Sequence, residues 1–296
     1  NNQLTDINAL QRAPMVTYLS LSNNGLTTDG TAAIANYPYL QYLSLAHNKI
    51  DSVQNLTGLK YLTEKRGLSM ALIKHFGLGF APGSFNMLTD YMHKKGFTDQ
   101  ELAQGFLCGI SQKNGRAYDY FRNRVMFPII DTAGNVIAFG GRVMDDSKPK
   151  YLNSSDTPAF QKRKNLFALN FAKNYSTDRL ILCEGYMDVI SLHAYGFENA
   201  VATLGTALTQ EQARLMAKHT KQVIISYDSD EAGQKAANKA MLLLGKVGVE
   251  VRVLKMQGAK DPDEFIKLKG PDAFKNLIEK SENHVEYRLQ SLQSKY

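Results

Sequence analysis

Cysteine is scarce in this chain, with two in 296 residues, Cys108 and Cys183. Neither stands in a CxxC pair or at ligand spacing from a histidine, so structural zinc is not expected. Apolar neighbours suit both as buried, reduced thiols. Long apolar runs are also missing. No stretch approaches the ~20 residues needed to span a bilayer, so no membrane partner is expected. The start carries no signal-peptide pattern, while Asn1 in first position suggests a trimmed chain whose natural beginning lies elsewhere. Hydrophobic residues make up 44% of the sequence, enough for real cores in two or three compact units. The expectation is a cytoplasmic protein.

Acid is present in islands. EGYMD (184–188), the Asp228-Ser229-Asp230 pair and DPDE (261–264) each follow a run that reads as a buried strand, at 180–183, 223–227 and 249–254. Helical apolar spacing fills the intervals at 189–195, 210–219 and 231–244. Strands alternating with helices imply βαβ crossovers, hence an α/β fold with a parallel sheet flanked by helices. Strand C-termini line one edge of such a sheet, and ligands bind there. Carboxylates gathered at that edge repel one another unless a cation joins them, which points to metal binding.

Positive charge is concentrated elsewhere. Residues 111–175 hold eleven Lys and Arg against five Asp and Glu, a local balance of +6 in a chain whose formal net charge is +7. Tyr118, Tyr120, Phe121, Phe127, Tyr151 and Asn153 are interleaved with these cations. Charge combined with aromatic faces is how single-stranded nucleic acid is held without sequence readout. Secondary structure in this half reads as mixed α+β. Helices are expected at 70–75 after Ser69 and at 85–95, Thr98 and Glu101 make a capping box, and a hairpin is expected from 125–130 and 136–143.

The first 60 residues contain an internal repeat, in which YLSLSNNGL (18–26) matches YLSLAHNKI (42–50) at a period of 24. Length and pattern are those of a leucine-rich repeat, with Asn24 and Asn48 as an asparagine ladder and partial copies at 4–7, 50–53 and 59–62. Arg12, Lys49 and Lys60 balance Asp6, Asp29 and Asp51 in this segment. It therefore lacks the field that a nucleic-acid module needs, and its expected role is a protein partner's contact or structural support.

EGYMD, YDSDEAG and KDPDEF, in that order, resemble the Toprim domain of bacterial DnaG-type DNA primases. FRNRVMFPI (121–129), AFGGRV (138–143) and PKYLNSSDTPAFQK (149–162) resemble the other half of the same catalytic core, and YLTEKRGLS (61–69) with FGLGFAP (76–82) resembles its opening. The likeness runs over roughly residues 61–296 and leaves the first 58 outside it. It implies four parts: a leucine-rich-repeat-like segment 1–60, a basic N-terminal core subdomain 61–175, a Toprim subdomain 176–260, and the start of a C-terminal helical subdomain 261–296. The implied activity is DNA-templated synthesis of short RNA primers, a nucleotidyl transfer in DNA replication at the bacterial replication fork. Glu184, Asp228 and Asp230 would be primary ligands of Mg²⁺ (or Mn²⁺), joined by Asp188, Asp261 and Asp263 as further ligands or anchors. Arg122, Arg124, Arg142, Lys150, Asn153 and Lys162 would clamp triphosphate and template phosphates. Implied partners are single-stranded DNA and ribonucleoside triphosphates; a replicative helicase would engage only through regions outside these residues. Toprim sites also occur in topoisomerases and nucleases, and a single-strand-binding scaffold without turnover is a third reading.

Overall fold

The computed structural model describes residues 3–5, 7, 18–27, 42–44, 48, 58–175 and 178–283. Strands β1 (Tyr18–Ser20) and β2 (Tyr42–Ser44) pair in parallel, and the register Leu19 to Leu43 reproduces the 24-residue offset of the sequence. Asn24 and Asn48 each donate from Nδ2 to the Leu21 carbonyl at 2.8 Å. Asn48 Oδ1 accepts from Leu26 N at 3.1 Å. The proposed copy at 50–53 lies outside the described residues. The copy at 59–62 is corrected: this stretch is helical and continues as a π-helical turn, Tyr61–Lys65, that buries Tyr61 and Leu62 in the main core. Burying both side chains outweighs the strand pattern they share with residues 40–43.

The basic half begins with α1 (Met70–His75), where Ser69 Oγ accepts from Leu72 N as the capping rule predicts. After β3 (Gly79–Ala81) come α2 (Met87–Lys94) and α3 (Asp99–Gln104), the latter opened by the Thr98/Glu101 capping box. A two-stranded ribbon of β4 (Cys108–Ile110) and β5 (Ala117–Asp119) follows. The expected hairpin is β6 (Arg124–Ile130) and β7 (Val136–Val143), and β8 (Tyr151–Asn153) completes an antiparallel sheet in the order β3-β6-β7-β8. Val125, Phe127 and Ile129, alternating along β6, are fully buried. A short α4 (Leu169–Ala172) leads onward.

The second half is β9 (Arg179–Cys183), α5 (Tyr186–Ala194), β10 (Ala200–Ala202), α6 (Gln210–Ala217), β11 (Gln222–Ser226), α7 (Glu231–Gly245), β12 (Glu250–Val253), α8 (Pro262–Glu279, broken at Gly270) and β13 (Glu282–Asn283). The sheet order is β10-β9-β11-β12-β13, parallel except for the last strand. Both faces are covered, as near-continuous apolar strands require. Leu180, Leu182, Val223 and Ile225 pack with Met216, Ala237, Met241 and Leu244 of α6 and α7. Ile181, Cys183 and Ile224 face α5 and α8 and join Phe76, Val125 and Phe127 of the basic half in one continuous core. Cys108 and Cys183 are free and buried, as expected.

Residues 261–296 were expected to open a separate helical subdomain. In the structure, Phe265, Ile266, Phe274 and Ile278 of α8 enter the shared core, and β13 pairs with β12. The described part of this segment is therefore a layer of the parallel-sheet unit, because its apolar face finds α5 at once; the rest of the expected helical subdomain, 284–296, lies outside the described residues.

Asp119 at the end of β5 ties the outer helices down. Its buried carboxylate accepts from Leu88 N at 2.8 Å, from Thr89 N at 2.9 Å and from the Thr89 hydroxyl. These are first-turn donors of α2, whose own N-cap Asn86 supplies no side-chain bond. Asp119→Ala leaves two backbone donors unsatisfied and is expected to destabilise the fold by about 1–3 kcal/mol. Urea unfolding reads this as a lower midpoint at unchanged slope; an unchanged midpoint would mean that water replaces the carboxylate.

Candidate active site

The chain runs from β9 to β10 on one side and then to β11 on the other, so the strand order reverses between β9 and β11. Glu184 lies one residue beyond β9 and Asp228 two beyond β11, at the crevice where such sheets bind ligands. Asp188 is in the first turn of α5, Asp261 caps α8 and Asp263 is in its first turn. All five line one cleft of about 350 Å³. Asp228 N donates to Glu184 Oε1 at 3.3 Å. Gly233 permits this approach, since a Cβ there would lie 2.2 Å from the Asp228 carbonyl oxygen and 3.0 Å from Glu184 Oε1.

Crowding shows in the electrostatics. Burial pushes the Asp188 carboxyl up to about 8, helped by Asp261 and Asp228 and opposed by the hydrogen bond from Asp263 N. Glu184 is raised by burial and then by Asp228. Asp228 is raised by burial and then by Asp261 and Asp230, with Lys260 and Lys150 pulling the other way. Several of these oxygens already serve the backbone. Asp188 accepts from Gly185 N at 3.1 Å and from Asp263 N at 3.3 Å. Asp261 Oδ1 accepts from Glu264 N at 2.8 Å, and Asp263 pairs with Lys267.

Among the described residues, no group of three or more His, Cys, Asp or Glu side chains stands ready to hold a metal ion. The donor set in the cleft is nonetheless all carboxylate oxygen, the chemistry of a hard divalent cation, and the repulsion among Glu184, Asp228 and Asp188 is of the kind such a cation relieves. Glu184, Asp228, Asp188, Asp261 and Asp263 are the residues that could hold one.

Cations line the cleft as well. Arg142, Lys150 and Asn153 line the same cleft, as does Arg66, which sequence reasoning missed although it lies in the quoted YLTEKRGLS motif. Arg66 Nε donates to Tyr61 Oη at 2.8 Å. The Arg142 guanidinium lies 5.4 Å from the Tyr61 ring and 5.7 Å from the Tyr151 ring. Its Nε is buried without a hydrogen-bond partner among the described residues. Lys260, a second missed cation, sits beside Asp228 and Asp261 and opens the quoted KDPDEF motif.

Four expected site residues do not line this cleft. Asp230 is exposed and caps α7, its Oδ1 accepting from Gly233 N at 2.7 Å. Arg124 is 7% exposed, donates to the Gly141 carbonyl at 3.3 Å, and has its pKa lowered by burial and by Arg122. Arg122 donates to the Asp119 carbonyl and lies 4.6 Å over the exposed ring of Phe85 and 5.6 Å over that of Tyr118. Lys162 opens a 3₁₀ turn, Lys162–Lys164, whose backbone is held by Asp156 and Gln212.

Among the described residues, no helix is long and apolar enough to cross a membrane. Comparison with known proteins finds the DNA primase catalytic core, N-terminal domain, over residues 45–173 and a Toprim-like domain over residues 181–266. The first match starts inside the segment expected to lie outside the resemblance, so the likeness extends further upstream than the motifs alone indicated. A DNA primase of Clostridium acetobutylicum is 48% identical over 236 residues, covering 79% of this chain and 39% of that protein. The chain thus spans about two fifths of the length of this curated relative. A DNA primase domain from Pseudomonas aeruginosa superposes with a TM-score of 0.75 at 37% identity, covering 83% of this chain and 78% of that one. The DnaG primase catalytic domain bound to single-stranded DNA gives 0.74 at 36% identity, covering 82% and 78%. With two domain models in sequence order, a relative 48% identical over 79% of the chain and a fold to match, the chain belongs to the family of DnaG-type bacterial primase catalytic cores.

Proposed function

We propose that this chain is the polymerising core that makes short RNA primers on single-stranded DNA during bacterial DNA replication, in the cytoplasm at the replication fork. The observation that carries the reading is a single cleft lined both by five carboxylates at the sheet edge and by the cations Arg66, Arg142 and Lys150. A nucleoside triphosphate matches both: its phosphates suit the cations, and the ions that accompany them suit the acids. Glu184 and Asp228, with Asp188, Asp261 and Asp263, would hold Mg²⁺ or Mn²⁺, which when bound would supply charge stabilisation for nucleotidyl transfer. Arg142, its guanidinium beside the Tyr61 and Tyr151 rings, offers the triphosphate a positioned cation, and Lys150 and Arg66 add charge. Asp230 contributes by fixing the α7 turn behind Asp228. Arg122 with Phe85 and Tyr118 makes a cationic, stacking surface for the template strand. The paired repeat at the N-terminus suits support of the core or contact with a protein partner.

A topoisomerase needs an ionisable tyrosine as nucleophile. The two tyrosines of this cleft, Tyr151 and Tyr186, have their pKa values raised, chiefly by burial, which is the wrong direction for that role.

Glu184→Gln and Asp228→Asn are each expected to cut primer synthesis on a single-stranded template with ribonucleotides and Mg²⁺ by a factor of at least about 10², while single-strand affinity stays within about twofold because the template surface is separate. Full synthesis by either variant would sink the assignment. In chelator at neutral pH, Glu184→Gln should melt higher than the wild type, since the neutral amide keeps the bond from Asp228 N and removes the repulsion. Adding millimolar Mg²⁺ should then stabilise the wild type more than the variant; equal increments would mean that the ion binds elsewhere. Arg122→Ala should flatten the log–log salt dependence of single-strand binding by about 0.7. Arg124→Ala should instead lower the melting temperature; a slope change for Arg124 with stability intact would reverse the two roles.

A further inference from the structure

Asn153 was expected to clamp phosphates, but its amide is otherwise engaged. Oδ1 accepts the Tyr186 hydroxyl at 2.9 Å and Nδ2 donates to the Leu204 carbonyl at 3.1 Å. The amide cannot be turned over, because the Leu204 carbonyl only accepts, so nitrogen must face it and oxygen must face Tyr186. Tyr186 itself is fixed: it is buried, with ring centroids 4.6 Å from Phe167 and 5.3 Å from Phe127.

The surrounding backbone is cut to fit this arrangement. Asn153 pairs with Gly140 on β7, where a Cβ would lie 2.5 Å from the Tyr186 ring and 2.9 Å from Asn153 Oδ1. Gly205 has φ +75°, and a Cβ on it would lie 2.5 Å from Asn153 Nδ2. Thus one side chain of the antiparallel sheet grips two turns at the C-terminal edge of the parallel sheet. Tyr186 lies between Glu184 and Asp188; Leu204 and Gly205 follow β10. The strand bearing Asn153 also carries Tyr151, which packs against Arg142, and follows directly on Lys150.

The geometry points to Asn153 as a positioning residue that sets the cations of the cleft relative to the carboxylate edge through Tyr186 and the Leu204–Gly205 turn, without itself contacting nucleotide or template. The inference deepens the primase reading and rests on it for its kinetic test. A displacement of the carboxylates by about 1 Å is enough to slow a positioned reaction by about 10²-fold.

The test compares wild type, Asn153→Ala, Tyr186→Phe and the double variant at a temperature where all are folded. Expected are kcat for primer extension lowered about tenfold or more in each single variant, nucleotide KM and single-strand affinity within about twofold, and a double variant no worse than Asn153→Ala, as for two halves of one unit. A raised KM at constant kcat in Asn153→Ala, with Tyr186→Phe silent, would make Asn153 a ligand contact and overturn the proposal. Amide hydrogen exchange gives a readout that needs no activity: Asn153→Ala should speed exchange at residues 184–188 and 203–206 together, and unchanged protection at either turn would refute the linkage. A wild type that makes no primers would refute the primase reading alone, leaving exchange to decide the linkage.

Discussion

Everything at the catalytic edge depends on holding carboxylates closer together than water would leave them. The structure does this with helix N-termini. Helices α5, α7 and α8 all begin at that edge: the first turns of α7 and α8 donate to their caps Asp230 and Asp261, and Asp188 accepts from the α5 cap residue Gly185 N and from Asp263 N in the first turn of α8. Unpaired N–H groups and the positive end of each helix dipole offset part of the repulsion. The offset is incomplete, since Glu184, Asp188 and Asp228 remain raised above their ordinary range. What is left is a standing demand for positive charge, in a cleft that Arg66, Arg142, Lys150 and Lys260 also line.

The two sheets whose residues line that cleft share one core. Here Phe76, Val125 and Phe127 of the basic half and Ile181, Ile190 and Ile224 of the other lie in a single apolar cluster. Tyr186 passes from the catalytic turn into that cluster, so the position of Glu184 and the packing of β6 are set by the same ring. A rearrangement of either sheet would have to break apolar packing and the buried hydrogen bond to Asn153 together.

Much of this was legible in the sequence for a physical reason. Strands β9 and β11 are buried on both faces and read as apolar runs, and Glu184 and Asp228 stand within two residues of their ends because polar groups resume where burial ends. The capping box at Thr98 and the cap at Ser69 are local bonds between near neighbours, and they were readable for the same cause. What was not legible was decided by partners distant in sequence. Residues 59–62 carry a pattern compatible with strand or helix, and the core chose helix. Strand β10 has three residues and no periodicity of its own; β9 and the bridge from Phe167 to Ala202 define it.

Arg122 and Arg124 show where composition stops being informative. Two residues apart in one motif, they count equally toward the local charge, yet one lies over aromatic rings at the surface and the other is buried against the Gly141 carbonyl. The difference comes from the bend before β6, where Asn123 adopts φ 51° and turns Arg122 out of the strand that Arg124 begins. Asn tolerates that left-handed conformation better than most residues. A single backbone angle therefore separates a side chain free to meet phosphate from one committed to the fold, and charge counting carries no information about that angle.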